Sequence, residues 1–199
     1  MRTRGVEALV LWPPGPQRRE ANGAAARAFA RFGDPAALAM PDCLLLAAGS
    51  TRECRESGLR EAWTGIEGGF SGHRVEERKG CLYLIVEGPL AALVERIGPC
   101  FESISPLPFE PALGFYLGKV PGPSDSAERQ NEGPGTPASV VVEGILDKPF
   151  GWRSCRLALL DIEGDLEGLL SLNWHERASA WRPAPRRRGT NGDEATIPR

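Results

Sequence analysis

The sequence predicts an α+β fold in which two βαβ-like lobes form an antiparallel sheet with about three helices. Short apolar runs of strand length alternate with stretches in which apolar residues recur at helical spacing. Proline and glycine bound most of these runs, as they do between separate elements. A hydrophobic content of 41% with 25% charged residues is typical of a domain with a packed core.

The N-terminal part of the chain supplies two strands and two helices. Residues 6–12 form an apolar run that stops at a Pro-Pro-Gly sequence, which predicts the first strand. Residues 16–32 place alanine and phenylalanine on one helical face, which predicts the first helix. A second strand is expected over 42–48, and a short polar helix is expected over 51–63.

A hairpin follows, with strands at 73–78 and 81–87 and a turn at Lys79-Gly80. Pro89 suits the first turn of a third helix, because that position needs no backbone donor. A fifth strand is expected over 112–120, where apolar residues alternate moderately.

Three more strands are predicted at 140–146, 155–162 and 174–181, with a short connection at 164–170 between the last two. The first and the last of these are candidates for edge strands that could pair with a protein partner.

Two segments are predicted to be disordered. Residues 121–138 contain Gly, Pro, Ser and charged residues but no aliphatic side chain larger than alanine, so they cannot offset their ordering entropy. The polar tail 183–199 is similar in composition. We therefore expect a single domain over 1–182 with an internal insertion, and the 121–138 loop is a second candidate for docking a protein partner.

Charge and hydropathy argue against several classes of function. A net charge of −2 provides no strong field for nucleic acid or anionic lipid. The apolar run at 6–12 is too short for a signal peptide, and no stretch approaches the roughly 20 apolar residues that cross a bilayer. These features predict a soluble cytoplasmic protein with no membrane partner.

The five cysteines contain no Cys-x-x-Cys pair, and the chain has only two histidines. A zinc site needs clustered soft ligands, so no metal site and no cofactor is predicted. Cys43, Cys81 and Cys155 each lie in an apolar run, where a thiol behaves as a small hydrophobic group. We expect buried, reduced thiols in a reducing compartment.

No complete catalytic motif is present. The glycines between 65 and 72 are not followed by a phosphate-binding helix pattern, and no Gly-x-Ser-x-Gly sequence occurs. His73 and His175 are candidates for acid–base work because an imidazole titrates near neutral pH. A solvated strand face explains both histidines equally well.

The order of elements resembles that of the 2H phosphoesterases, the family of the bacterial RNA 2′,3′-cyclic phosphodiesterases once called 2′-5′ RNA ligases. In that family two strands each carry a His-x-Thr/Ser motif, and the two motifs face each other in one cleft. The segment PDCLLLAAG at 41–49 lies where the first motif is expected, and WRSCRLAL at 152–159 lies where the second is expected. The resemblance implies RNA or a nucleotide as ligand.

This sequence departs from the family at the residues that perform the reaction. Cys43 and Cys155 occupy the histidine positions, and Leu45 and Leu157 occupy the Thr/Ser positions. Two thiols and two leucines provide neither the acid and base nor the phosphate-holding hydroxyls. If the resemblance holds, the usual reaction is not available at this site.

Three functions remain open. The first is a non-catalytic binding or scaffold protein of 2H-phosphoesterase-like layout. The second is a divergent phosphoesterase acting on 2′,3′-cyclic phosphates, which would use His73, His175 and an arginine such as Arg153. The third is a ferredoxin-like protein-interaction module.

Overall fold

The structure is a computed structural model that describes residues 6–39, 42–51, 54–105, 107, 109–120, 142–163 and 173–183. Within these residues, nine strands form two antiparallel sheets, accompanied by four helices and one 3₁₀ turn. The predicted α+β class and the antiparallel pairing are confirmed. None of the described helices is long and apolar enough to cross a bilayer.

The first sheet contains five of the strands, in the order β5-β2-β1-β8-β9. They are β1 (Val6–Trp12), β2 (Leu44–Thr51), β5 (Phe101–Ile104), β8 (Arg156–Glu163) and β9 (Asn173–Trp181). β1 is central and pairs along its length with β2 on one side and β8 on the other. β9 is an edge strand, as the sequence predicted.

The second sheet contains four strands in the order β6-β4-β3-β7. They are β3 (Phe70–Arg78), β4 (Cys81–Glu87), β6 (Gly114–Lys119) and β7 (Phe150–Trp152). The predicted hairpin is confirmed, with β3 and β4 joined at Lys79 and Gly80. The two sheets meet where the Ala112 amide, just before β6, donates a hydrogen bond of 2.8 Å to the Leu45 carbonyl in β2.

The helices are α1 (Gly15–Phe32), α2 (Ala36–Ala39), α3 (Glu56–Ala62) and α4 (Leu90–Ile97), and a 3₁₀ turn at Gly98–Cys100 follows α4. α1 ends at Gly33, whose φ of 78° suits glycine and whose amide donates to the Phe29 carbonyl. α4 begins directly after Pro89, as the sequence predicted, and it buries Leu90, Leu93 and Ile97.

The core divides into two clusters on opposite faces of the strands. The helix-side cluster joins one face of both sheets to α1, α3 and α4. The far-side cluster joins the other face of both sheets to Ala36 and Phe109. β4 shows the division, since Leu82 and Leu84 lie in the helix-side cluster and Tyr83 and Ile85 in the far-side cluster. Side chains alternate in this way because successive residues of a strand point to opposite faces.

One predicted strand is wrong over the residues that the structure describes. Residues 142–146 form a turn instead, in which the Ile145 amide donates to the Val142 carbonyl and Gly144 has a φ of 77°. Glycine permits this left-handed conformation, which interrupts an apolar run that would otherwise extend. The predicted insertion at 121–138, the connection at 164–170 and the tail beyond Pro183 lie outside the described residues.

Gly49 marks a close approach between β2 and β5, and it gives a test of this packing. A Cβ atom at Gly49 would lie 2.0 Å from the Ser103 carbonyl oxygen. We expect Gly49→Ala to lower the free energy of unfolding by about 2 kcal/mol or more, since the backbone of β5 must shift. Urea unfolding measures the change.

The matched control is Gly58→Ala in α3, where an added Cβ would meet nothing within 4 Å. That substitution should leave stability unchanged or raise it by up to about 1 kcal/mol, because alanine favours the helix. Equal losses in both variants would show that β5 does not pack against Gly49 as described.

Candidate functional site: a dithiol cleft

The four positions that align with the 2H motifs are buried on opposite faces of one sheet. Cys43 and Leu45 belong to the far-side cluster, whereas Cys155 and Leu157 belong to the helix-side cluster. Leu45 and Leu157 lie in β2 and β8, the strands that flank β1, and Cys43 and Cys155 directly precede these strands. The structure therefore does not bring these four positions into the shared cleft that the resemblance implies.

The two histidines lie on different sheets. His73 is half-buried in β3 with its Nε2 atom 3.2 Å from the Glu87 carboxylate. His175 is exposed on the edge strand β9, opposite Asp161 of β8. Arg153 is exposed before β8, and its carbonyl accepts a hydrogen bond from the Cys155 thiol at 3.8 Å. These residues do not form an acid–base pair.

The thiols at the aligned positions are held in their neutral form. Burial raises the pKa of Cys155 to about 12, an effect that nearby Arg182 partly opposes. Burial also raises the pKa of Cys43 well above its ordinary range. A neutral thiol is a poor nucleophile and a poor base, so neither residue replaces a catalytic imidazole.

An open cleft lies elsewhere, between α3, α4 and the 3₁₀ turn that follows α4. Its volume is about 510 Å³, and its lining combines two thiols, two guanidinium groups, a carboxylate and small residues. The residues in its wall are Cys54, Arg55, Ser57, Gly58, Glu61, Ala62, Arg96, Pro99 and Cys100. We call this the dithiol cleft.

Cys54 and Cys100 give the dithiol cleft its reactive groups. Cys54 lies two residues before α3, and Cys100 ends the 3₁₀ turn. Both thiols are reduced, and they lie in the same wall of the cleft. Burial first, and then the charge and the hydrogen bond of Cys100, raise the pKa of Cys54 to about 12. Cys54 is therefore a neutral thiol at physiological pH.

Two arginines line the dithiol cleft, one from α3 and one from α4. Arg55 comes from the start of α3, and Arg96 comes from the last turn of α4. Among the residues that the structure describes, Arg96 has no hydrogen bond or ion pair. Glu61 of α3 supplies an opposing charge in the same lining. The two guanidinium groups thus offer hydrogen-bond donors to an acidic group of a ligand, and the Glu61 carboxylate offers one acceptor beside them.

A second opening of about 360 Å³ shares Cys54 and Arg55 with the dithiol cleft and extends toward β9, where Arg177 lines it. Arg177 is ion-paired to Glu7 in β1 and lies 3.7 Å from Asp161 in β8. These contacts hold Arg177 against the end of the first sheet. Arg177 also lines the second opening.

The described residues contain no group of three or more His, Cys, Asp or Glu side chains placed to hold a metal ion. The thiol pair, with one carboxylate in the same wall, therefore does not amount to a metal centre within that part of the chain.

The sequence alone did not single out the dithiol cleft. Cys54 and Cys100 are far apart in the chain and follow no known spacing, so no motif predicts their contact. One signal was present: these two cysteines lack the apolar runs that surround Cys43, Cys81 and Cys155. A cysteine among polar residues is more often accessible than one inside a strand.

No protein-family model, curated protein or solved structure matches this chain.

The raised pKa of Cys155 predicts how stability depends on pH. In the unfolded chain the thiol ionises near its ordinary pKa of 9.0, whereas in the folded protein it stays protonated up to about 12. The contribution of the protonated Cys155 thiol to the free energy of unfolding is fully present below pH 9. It is lost as the pH rises toward 12. We expect a loss of up to about 1.4 kcal/mol per pH unit for such a group.

Urea unfolding of wild type and Cys155→Ala, in reducing buffer from pH 8 to pH 11, tests this dependence. The variant starts less stable because it has a cavity in the core. Its stability should fall less steeply with pH, so the gap between the two proteins narrows. Parallel curves would mean that Cys155 ionises equally well in the folded chain.

Proposed function

We propose that this protein is a non-catalytic binding domain that takes a small molecule with an acidic group into the dithiol cleft. The observation that carries the proposal is the Arg96 guanidinium at the cleft, which has no hydrogen-bond or ion-pair partner among the described residues. A planar guanidinium offers forked donors that match a carboxylate or a phosphate.

The size and charge of the cleft narrow the ligand class. A volume of about 510 Å³ is in the range of pockets that hold small molecules. Arg55, Arg96 and Glu61 together contribute one net positive charge to the lining. A ligand with one acidic group and one hydrogen-bond donor satisfies these side chains better than a polyanion does.

The positions of the candidate catalytic residues support binding without turnover. His73 and His175 lie on different sheets, and the thiols at the aligned positions are buried in apolar clusters. General acid–base catalysis needs both groups within hydrogen-bonding reach of one reacting phosphate. A phosphodiester reaction of the 2H type therefore has no acid–base pair to use here.

Binding is tested by titrating the protein with inorganic phosphate and with adenosine monophosphate, followed by isothermal calorimetry. We expect Arg96→Ala to weaken binding about tenfold, since a hydrogen bond between charged groups contributes about 1.5 kcal/mol or more. Nuclear magnetic resonance should place the shifted amides in α3 and in the turn after α4.

The matched control is Arg60→Ala. Arg60 is an exposed arginine of α3 that is paired with Glu56 and does not line the dithiol cleft. It should leave affinity unchanged. Equal weakening in both variants would show only a general effect of charge, and no binding of either probe would refute an anion-binding cleft.

Absence of turnover is tested with a 2′,3′-cyclic nucleotide. We expect wild type and His175→Ala to show the same background rate, because His175 lies on an exposed edge strand away from His73. Release of nucleoside monophosphate is followed by liquid chromatography. Hydrolysis by wild type that is lost in His175→Ala would favour the divergent phosphoesterase instead.

A further inference from the structure

Two cysteines from separate elements line the same open cleft. Cys54 is held before α3 and Cys100 after α4, and α3 and α4 pack side by side. Both thiols line the dithiol cleft, and Cys100 raises the pKa of Cys54, as a neighbouring side chain does. Neighbouring thiols in the wall of one cleft can reach the S–S length of about 2.05 Å by rotation of their side chains.

We propose that Cys54 and Cys100 form a reversible intramolecular disulfide when the protein meets hydrogen peroxide, so that the wall of the dithiol cleft is a site of covalent modification. This inference does not depend on an acidic ligand, because it uses only the two thiols and an oxidant that reaches the open cleft.

The exposure of the two thiols sets the order of events. Cys100 is partly exposed, whereas Cys54 is only 9% exposed and counts as buried. Peroxide therefore meets the Cys100 sulfur first, and Cys54 acts as the resolving thiol. A reactive cysteine beside a resolving one is the usual arrangement at sites of reversible oxidation.

The chemistry has two steps. The Cys100 thiolate attacks one peroxide oxygen, the O–O bond breaks, and Cys100 becomes a sulfenic acid while the released hydroxide takes a proton to form water. The Cys54 sulfur then attacks the Cys100 sulfur, the S–O bond breaks, and the hydroxide leaves with the proton from Cys54 as a second water. Two thiols are oxidised, and one peroxide is reduced to two waters.

The environment of Cys54 makes the second step dependent on pH. Two of the three causes that raise the pKa of Cys54 are the charge of Cys100 and its hydrogen bond. Both change when Cys100 becomes a neutral sulfenic acid, which leaves burial as the main obstacle to ionisation. The attack by Cys54 should therefore be faster at pH 8.5 than at pH 7.

The remaining cysteines are poorly placed to compete. Cys43, Cys81 and Cys155 are buried, and burial is the largest cause of the raised pKa of each. Cys43 and Cys155 lie on opposite faces of the first sheet. A thiol that is buried and protonated is inert to mild oxidants.

The test treats the full chain with a small excess of hydrogen peroxide and maps the thiols by mass spectrometry. Trypsin places each of the five cysteines on its own peptide, so the expected product is peptide 53–55 linked to peptide 97–119. Free thiols should fall from five to three, counted from the sequence, and dithiothreitol should restore them. The disulfide should raise the Tm by about 5 °C, because it closes a long loop.

Two variants keep the result interpretable. In Cys54→Ser, Cys100 should accumulate as a sulfenic acid that dimedone traps, with no linked peptide. In Cys100→Ser, Cys54 should stay reduced under the same treatment. Cys43→Ser is the control for losing a cysteine, and it should still form the 53–55 to 97–119 link, with circular dichroism showing that it is folded.

A different pairing, a disulfide between two chains, or Cys100 oxidised beyond sulfenic acid while Cys54 stays reduced would overturn the inference. The test of the disulfide is independent of the test of the proposed function. Phosphate binding without the disulfide would refute the modification site alone, and the disulfide without anion binding would refute the anion-binding cleft alone.

Discussion

The constraint on which the fold depends is that its central strands are buried on both faces. β1 pairs with β2 and β8 along its length, and its residues from Ala8 to Leu11 are inaccessible to solvent. A strand with two buried faces has no position for a charged side chain that is not paired. Polar chemistry in this domain is therefore confined to strand ends, edge strands and the helices that cover the sheets.

This constraint explains why the positions at which the sequence comparison expected the 2H motifs are apolar. Cys43, Leu45, Cys155 and Leu157 lie in β2 and β8 or directly before them, on faces that the two core clusters already fill. Alternation along each strand places one pair in each cluster. The same packing that stabilises the first sheet removes these positions from contact with any ligand.

Most of the fold could be predicted from local patterns, and the site could not. The observed and predicted limits agree within about two residues for β1, α1, β4 and β8. Proline or glycine lies near the ends of these segments in the sequence, which makes their limits recognisable. β5 and β7 were missed because strands of four and three residues carry too short a pattern. Residues 142–146 form a turn instead of the predicted strand, because Gly144 adopts a positive φ that interrupts the apolar run.

The dithiol cleft was missed for a different reason. Its walls come from the start of α3, the end of α4 and the turn after it, and only tertiary packing brings Cys54 to Cys100. No spacing rule encodes such a contact. The one local sign that these two cysteines differ from the other three is that Cys54 lies among charged residues and Cys100 follows Gly98-Pro99, so that neither lies inside an apolar run.

Because the walls of the dithiol cleft are distant in the chain, the unfolded protein has no binding site of this kind. Any ligand of the cleft binds the folded state alone, and by mass action it shifts the folding equilibrium toward that state. The increment grows with the logarithm of ligand concentration. The abundance of such a ligand in the cell would thus help to set how much of this protein survives proteolysis.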